Sequence, residues 1–107
     1  RRYPLSGSAI VRITDRTGAN AFRGDLSDIS ASGISLIMNT SAPSAESLLG
    51  CRLNIKFAWP EAVPELNIDQ DGRIVGIHSQ MFNEYLINVT WEGPLEKDVV
   101  ERMKLRG

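Results

Sequence analysis

The sequence predicts an all-β fold, a small antiparallel β-barrel of six or seven strands with one C-terminal α-helix. Three observations support this prediction. Apolar and polar residues alternate with a period of two along most of the 107 residues, as they do in strands with one buried face. Clusters of glycine, proline, serine and asparagine separate these runs, as turns do. Near the end of the chain the apolar period changes to about four residues, which indicates a helix.

The first three strands are predicted in the N-terminal third of the chain. In residues 9–14, the odd-numbered side chains are all apolar, whereas the even-numbered ones include an arginine and a threonine. The turn-rich segment 15–20 connects this strand to residues 22–26, and the two strands form a predicted hairpin. Residues 34–38 then place three apolar side chains on one face of a third strand.

The middle of the chain combines one clear strand with irregular segments. Residues 39–50 are rich in serine, alanine and proline and are predicted to form a loop. Residues 53–57 alternate cleanly and form the best-defined strand. The segment 59–64 is predicted to be irregular, because its two prolines cannot donate hydrogen bonds to a sheet.

A second hairpin is predicted after the irregular segment. Residues 66–68 resume a strand, Asp71–Gly72 is a turn signal, and residues 74–77 form the returning strand. Residues 85–91 then place four apolar side chains on one face of the last strand. From these phases, the residues predicted to be buried are Ile34, Leu36, Leu53, Ile55, Phe57, Ile74, Ile87 and Val89.

Residues 94–106 are predicted to form the C-terminal amphipathic helix. Pro94 suits the first helical turn, and Leu95, Val99 and Met103 recur at four-residue intervals. Acidic residues near the start and basic residues near the end match the helix dipole. We expect this helix to cover one open end or flank of the barrel.

Length and composition indicate one domain, residues 1–107. Because the sequence begins with Arg1 instead of methionine, we expect it to be excised from a longer protein. It contains no apolar run long enough to suggest a membrane span, no signal-peptide pattern opens it, and its single cysteine fits a cytoplasmic protein. The net charge is −1, but residues 1–24 carry five arginines and one aspartate, a local charge of +4. This cationic end favours a small anionic ligand over a nucleic acid.

Catalysis is not expected from this sequence. The single histidine, His78, and the single cysteine, Cys51, do not suffice for the common zinc sites. Neither a glycine-rich phosphate loop nor the G-x-S-x-G turn of serine hydrolases occurs. The sequence therefore predicts a binding module without a metal or cofactor, and not an enzyme.

The strongest candidate site is the corner, residues 28–33, between the second and third predicted strands. Asp28 and Ser30 can hydrogen-bond neighbouring backbone N–H groups, and Gly33 can adopt a positive φ, which is consistent with a plain turn. The same corner presents a carboxylate and a hydroxyl to which a polar planar ligand can bind. Both interpretations are compatible with the sequence.

An arginine-rich arm, residues 1–4, precedes this D-x-S-x-x-G corner. An arm and a corner of this kind, in a β domain of this length, resemble the PilZ family, which binds the bacterial second messenger cyclic di-GMP. The resemblance covers nearly the whole chain. Beyond the arm and the corner it includes the segments 33–36, 50–55, 72–77 and 85–91 and the closing helix.

The resemblance implies a PilZ-like barrel whose ligand is cyclic di-GMP. It further implies a cytoplasmic bacterial module that transmits the second-messenger level to an attached effector domain or a protein partner. A guanidinium matches the O6 and N7 acceptors of guanine, and a carboxylate matches the donors of the opposite edge. The arm is expected to be loosely held before it closes over the ligand. The residues implied to bind cyclic di-GMP are Arg1, Arg2, Asp28, Ser30 and Gly33.

The sequence departs from the family pattern at one position. Leu5 stands where the family has the second arginine of its R-x-x-x-R motif, and losing such a guanidinium costs about 1.5–3 kcal/mol. Either Arg12, Arg16 or Arg23 reaches the site instead, or binding is weak, or the chain is a degenerate PilZ-like protein-interaction domain that does not bind nucleotide. An unrelated barrel that binds single-stranded nucleic acid is disfavoured by the charge of −5 after residue 24.

Overall fold

The computed structural model describes residues 2–15, 21–58, 68–93 and 95. Within these residues the chain forms seven strands and one short helix. They are β1 (Tyr3–Pro4), β2 (Ser8–Ile13), β3 (Ala21–Ile29), β4 (Gly33–Asn39), α1 (Ala42–Glu46), β5 (Arg52–Ala58), β6 (Asp69–Met81) and β7 (Glu84–Trp91). No helix in this part of the chain is long and apolar enough to cross a membrane.

The strands form an antiparallel barrel. Strands β3, β2, β5, β6, β7 and β4 are neighbours in that order, and pairing between β4 and β3 closes the six into a barrel. The short β1 pairs with the end of β3, where Pro4 lies opposite Asp28. The predicted all-β antiparallel barrel is therefore confirmed. The predicted helix at 94–106 lies outside the described residues except for Leu95, which is buried.

The barrel interior is filled by the apolar phase of each strand. All eight residues predicted to form the core are buried, and Ile34, Ile55 and Ile74 are completely enclosed. Ala9, Val11 and Ile13 of β2 are also buried, although β2 is one of the shorter strands of the barrel. Enclosing one large aliphatic side chain stabilises the fold by about 1.5–3 kcal/mol. The strand phases predicted from the alternation are therefore correct.

The segment 39–50 differs from the predicted loop, because it contains α1. Pro43 lies in the first turn of this helix, where its missing N–H removes no helical hydrogen bond. A helix of five residues is too short to be stable in isolation. Ala45 is completely buried and Leu48 nearly so, and packing of these side chains against the core holds the helix in place.

Asp71–Gly72 is not a hairpin turn, which corrects the sequence prediction. Strand β6 continues through it, and the chain reverses instead beyond Met81, where Asn83 has a φ of 59°. Gly72 is needed for close packing between strands. A Cβ there would lie 2.7 Å from Val89 Cγ1 and 2.8 Å from the backbone oxygen of Thr90. The glycine therefore serves the approach of β7 to β6, and not a reversal of the chain.

Candidate functional site

The corner is a compact turn between β3 and β4. The backbone N–H of Ser30 donates to the oxygen of Gly33 at 2.8 Å, and the N–H of Gly33 donates to Ser30 Oγ at 3.2 Å. Ser30 is buried, and its hydroxyl also lies 3.2 Å from Ser32 Oγ. The hydroxyl of Ser30 therefore maintains the shape of the corner, as the plain-turn interpretation requires.

Gly33 is required at the corner by close packing. Its φ is not positive, unlike that of Gly50 and Gly93. A Cβ on Gly33 would clash with the backbone oxygen of Val89 in β7. The positive φ that the sequence suggested for Gly33 is therefore wrong. Close approach of the neighbouring backbone is what the structure requires.

Strand β7 and the residue Leu95 support the corner from one side. The indole Nε1–H of Trp91 donates to the oxygen of Ser30 at 3.3 Å, and the backbone N–H of Trp91 donates to the oxygen of Ser32 at 2.9 Å. The N–H of Leu95 donates to the oxygen of Ala31 at 3.4 Å. Three successive carbonyls of the corner therefore accept hydrogen bonds from the chain at and after the end of β7.

Arg2 lies directly over the first residue of the corner. Its Nε donates to Asp28 Oδ1 at 2.6 Å, and the side chains of Arg2 and Asp28 are 47% and 32% exposed. Its Nη2 donates to Ser35 Oγ at 2.8 Å. Arg2 is therefore held at the corner by its hydrogen bonds to Asp28 and Ser35, which differs from the loosely held arm that the sequence analysis expects. Arg1 lies outside the described residues.

The polar row, Asp28, Ser35 and Asn88, crosses three neighbouring strands on the outer face of the barrel. Asp28 in β3 lies opposite Ser35 in β4, and Ser35 lies opposite Asn88 in β7. Ser35 Oγ donates to Asn88 Oδ1 at 2.7 Å. Together with Arg2, the row forms a continuous set of hydrogen-bonded polar side chains. A polar planar ligand can bind such a set through the donors and acceptors that remain exposed.

Sequence reasoning missed Ser35 and Asn88. The available signal was a polar residue in the outward phase of a strand whose inward residues are all apolar, as between Ile87 and Val89. That signal alone does not show which outward residues are neighbours. The register of β4 against β3 and β7 decides this, and it pairs Ser35 with Asn88, 53 positions away in sequence.

Leu5 does not take part in the polar row. It is half-buried and packs against the core, and its backbone N–H donates to the oxygen of Ser27 at 2.9 Å. Arg23 donates to Ser8 Oγ at 3.1 Å and stands five residues, roughly 17 Å of extended strand, before Asp28. Arg12 lies still further away, opposite Ala21. Within the described residues, neither arginine forms a hydrogen bond with the polar row, and Arg16 lies outside the described residues.

Comparison with known proteins adds two similarities. The family model described as "PilZ domain" matches residues 1–102. Among solved structures, the chain is similar to the Borreliella burgdorferi PlzA protein, whose crystal structure is in complex with c-di-GMP, with a TM-score of 0.59 and 16% sequence identity. This similarity covers 95% of the present chain and 44% of the PlzA chain, so the present chain spans less than half of that protein. Among curated proteins, none matches the sequence.

Proposed function

Because this chain belongs to the PilZ domain family, we propose that it is a signalling module that binds cyclic di-GMP at the corner. The observation that carries the proposal is the ion pair of Arg2 with Asp28, two residues 26 positions apart in sequence. The similar PlzA protein, whose structure contains c-di-GMP, supports the choice of ligand. The proposed role consists of binding and signalling, without a catalytic step.

The chemistry of the corner suits a guanine base. In the described part of the chain, Nη1 of Arg2 has no hydrogen-bond partner, so it remains available to the O6 or N7 acceptor of guanine. Asp28 is one-third exposed and can accept from the N1–H and N2–H donors of the opposite edge. The local charge of +4 in residues 1–24 attracts the two phosphates of the ligand.

The five proposed binding residues have different roles in this scheme. Arg1 and Arg2 supply guanidinium groups to the bases or phosphates, and Asp28 accepts from a guanine edge. Ser30 maintains the backbone of the corner through its bond from Gly33 N. Gly33 allows β7 to approach closely, so that the polar row stays within reach of the ligand.

We further propose that binding is transmitted to an attached effector domain or a protein partner in the bacterial cytoplasm. The corner is suited to transmission because its carbonyls accept hydrogen bonds from Trp91 and Leu95. A ligand that shifts the corner therefore also shifts Trp91 and Leu95. In this scheme, ligand binding changes the relative populations of two arrangements of these two residues.

The alternative is a degenerate PilZ domain that acts through protein contacts and binds no nucleotide. The observation favouring it is Leu5, which packs against the core at the position of the family's second arginine. A leucine there contributes burial but offers no hydrogen-bond donor to a ligand. The two functions predict opposite results in a binding experiment.

Isothermal titration calorimetry with cyclic di-GMP distinguishes the two. We expect the wild type to bind and Asp28→Ala to bind at least about tenfold more weakly, since the guanine edge loses its acceptor. Asp25→Ala is the matched control, because Asp25 is exposed on the same strand and its removal changes the charge equally. Wild-type protein that gives no heat at millimolar ligand would support the interaction domain. If both variants weakened binding of cyclic di-GMP equally, the loss in Asp28→Ala would come from the change in net charge and not from a contact with guanine.

A further inference from the structure

We propose that Ser35 and Asn88 are positioning residues that orient the guanidinium of Arg2 toward the ligand. The inference rests on the proposed function of the corner and adds two residues to the five already proposed there. Neither residue needs to touch the ligand. Ser35 contacts Arg2 directly, and Asn88 acts on Arg2 through Ser35.

The hydrogen bonds between these side chains have a defined direction. Ser35 has a single hydroxyl hydrogen, which is donated to Asn88 Oδ1 at 2.7 Å. Its oxygen is therefore free to accept from Arg2 Nη2, at 2.8 Å. The amide of Asn88 determines where the serine hydrogen points, and the serine oxygen in turn determines where the guanidinium points.

Burial makes Ser35 a more effective anchor than Asp28. The ion pair of Arg2 with Asp28 is partly exposed, so water and salt weaken it. Ser35 is only 3% exposed, and its neighbours in β4, Ile34 and Leu36, are enclosed in the core. The strand cannot shift without disturbing that core, so the hydroxyl oxygen stays at a fixed position under the guanidinium.

Gly76 makes room for the amide of Asn88. It lies opposite Asn88 across β6 and β7, next to a register shift at Val75. A Cβ on Gly76 would lie 3.1 Å from Asn88 Nδ2 and 3.2 Å from His78 Nε2. Because Gly76 has no side chain, Asn88 Nδ2 can lie over β6 while Asn88 Oδ1 faces Ser35.

The consequence is a guanidinium held before the ligand arrives. Nε and Nη2 of Arg2 each donate one hydrogen bond to the protein, and within the described residues Nη1 has no partner. An arginine fixed in this way loses less conformational entropy when it binds than a freely rotating side chain does. Ser35 and Asn88 should therefore strengthen binding of the ligand without contacting it.

A double-mutant cycle in calorimetric titrations with cyclic di-GMP tests this positioning role. We expect Ser35→Ala and Asn88→Ala each to weaken binding about fivefold. In an Arg2→Ala background, the same two changes should have no further effect. Ser8→Ala is the matched control, because Ser8 is also a buried serine that accepts a hydrogen bond from an arginine, Arg23. Equal effects of Ser35→Ala in both backgrounds, or an equal effect of Ser8→Ala, would overturn the proposal.

A measurement without nucleotide separates this proposal from the proposed function. In nuclear magnetic resonance spectra, the Nε–Hε signal of Arg2, assigned by its loss in Arg2→Lys, should exchange slowly with water in the wild type. It should exchange faster in Asn88→Ala, where the backbone fold is retained because Asn88 lies on the outer face. If the wild type does not bind cyclic di-GMP, the proposed function fails. The exchange rate of the Arg2 Nε–Hε signal then still tests whether Asn88 orients Arg2. An unchanged exchange rate in Asn88→Ala would refute the orienting role.

Discussion

Replacing Leu5 by arginine should strengthen binding of cyclic di-GMP. The backbone of Leu5 is held by its hydrogen bond to Ser27, so the new side chain starts from a fixed position beside the end of β3. From there the long side chain of an arginine can follow the surface toward the ligand at the corner. The bidentate contact it restores corresponds to at least about 1.4 kcal/mol, or a tenfold lower dissociation constant.

The substitution also has a cost in stability. Leu5 is a half-buried side chain packed against the core, so its loss removes about half of the 1.5–3 kcal/mol that full burial contributes. An arginine stem recovers part of this contact, since its methylene groups can cover the same apolar surface. We therefore expect Leu5→Arg to bind more tightly while its melting temperature falls by a few degrees.

Calorimetry at low and high salt measures the gain and its origin. The gain should shrink at high salt, because part of it is attraction between the guanidinium and phosphate. Leu49→Arg is the control, since Leu49 is 59% exposed and follows α1 at the opposite end of the barrel. Equal tightening by Leu49→Arg would show a general charge effect. If neither the wild type nor Leu5→Arg gives heat at millimolar ligand, the corner does not bind guanine in this chain.

Three further predictions concern the scaffold of the site. Gly33→Ala should destabilise the fold by about 1 kcal/mol or more in chemical denaturation, because its Cβ would clash with the Val89 backbone. Gly24→Ala is the control and should be almost neutral, since the nearest atom to its Cβ would lie 3.5 Å away. Ile55→Ala should cost about 2–5 kcal/mol in the same assay, since Ile55 is fully enclosed. Trp91→Phe should speed hydrogen exchange of the corner amides through loss of the indole hydrogen bond. A neutral Gly33→Ala, an Ile55→Ala below 1 kcal/mol or unchanged exchange would contradict the respective reasoning.

The alternation of apolar residues determined the fold class and the buried face of every predicted strand that the structure describes. A shift by one residue would have exposed Ile34, Leu53 and Ile74 together, and all three are enclosed. This information is local, because the period of two in a strand follows from the backbone itself. The assignment of the corner and the arm to one site rests instead on the resemblance to the PilZ family, whose motifs are short local segments of the sequence.

Local signals failed where packing between distant segments decides the structure. Asp71–Gly72 has the composition of a turn, yet the glycine lies inside β6 because β7 leaves no room for a Cβ. The segment 39–50 has the composition of a loop, yet burial of Ala45 stabilises a helix there. In both cases the contacts of the folded barrel outweigh a weak intrinsic preference.

The make-up of the candidate site was likewise decided by tertiary structure. The sequence determined that an arginine arm and an acidic corner exist, but only the pairing of β1 with β3 brings Arg2 onto Asp28. Ser35 and Asn88 join them because β4 pairs with β3 on one side and with β7 on the other. Register between strands depends on the closure of the whole barrel, a property that no segment of the sequence carries by itself.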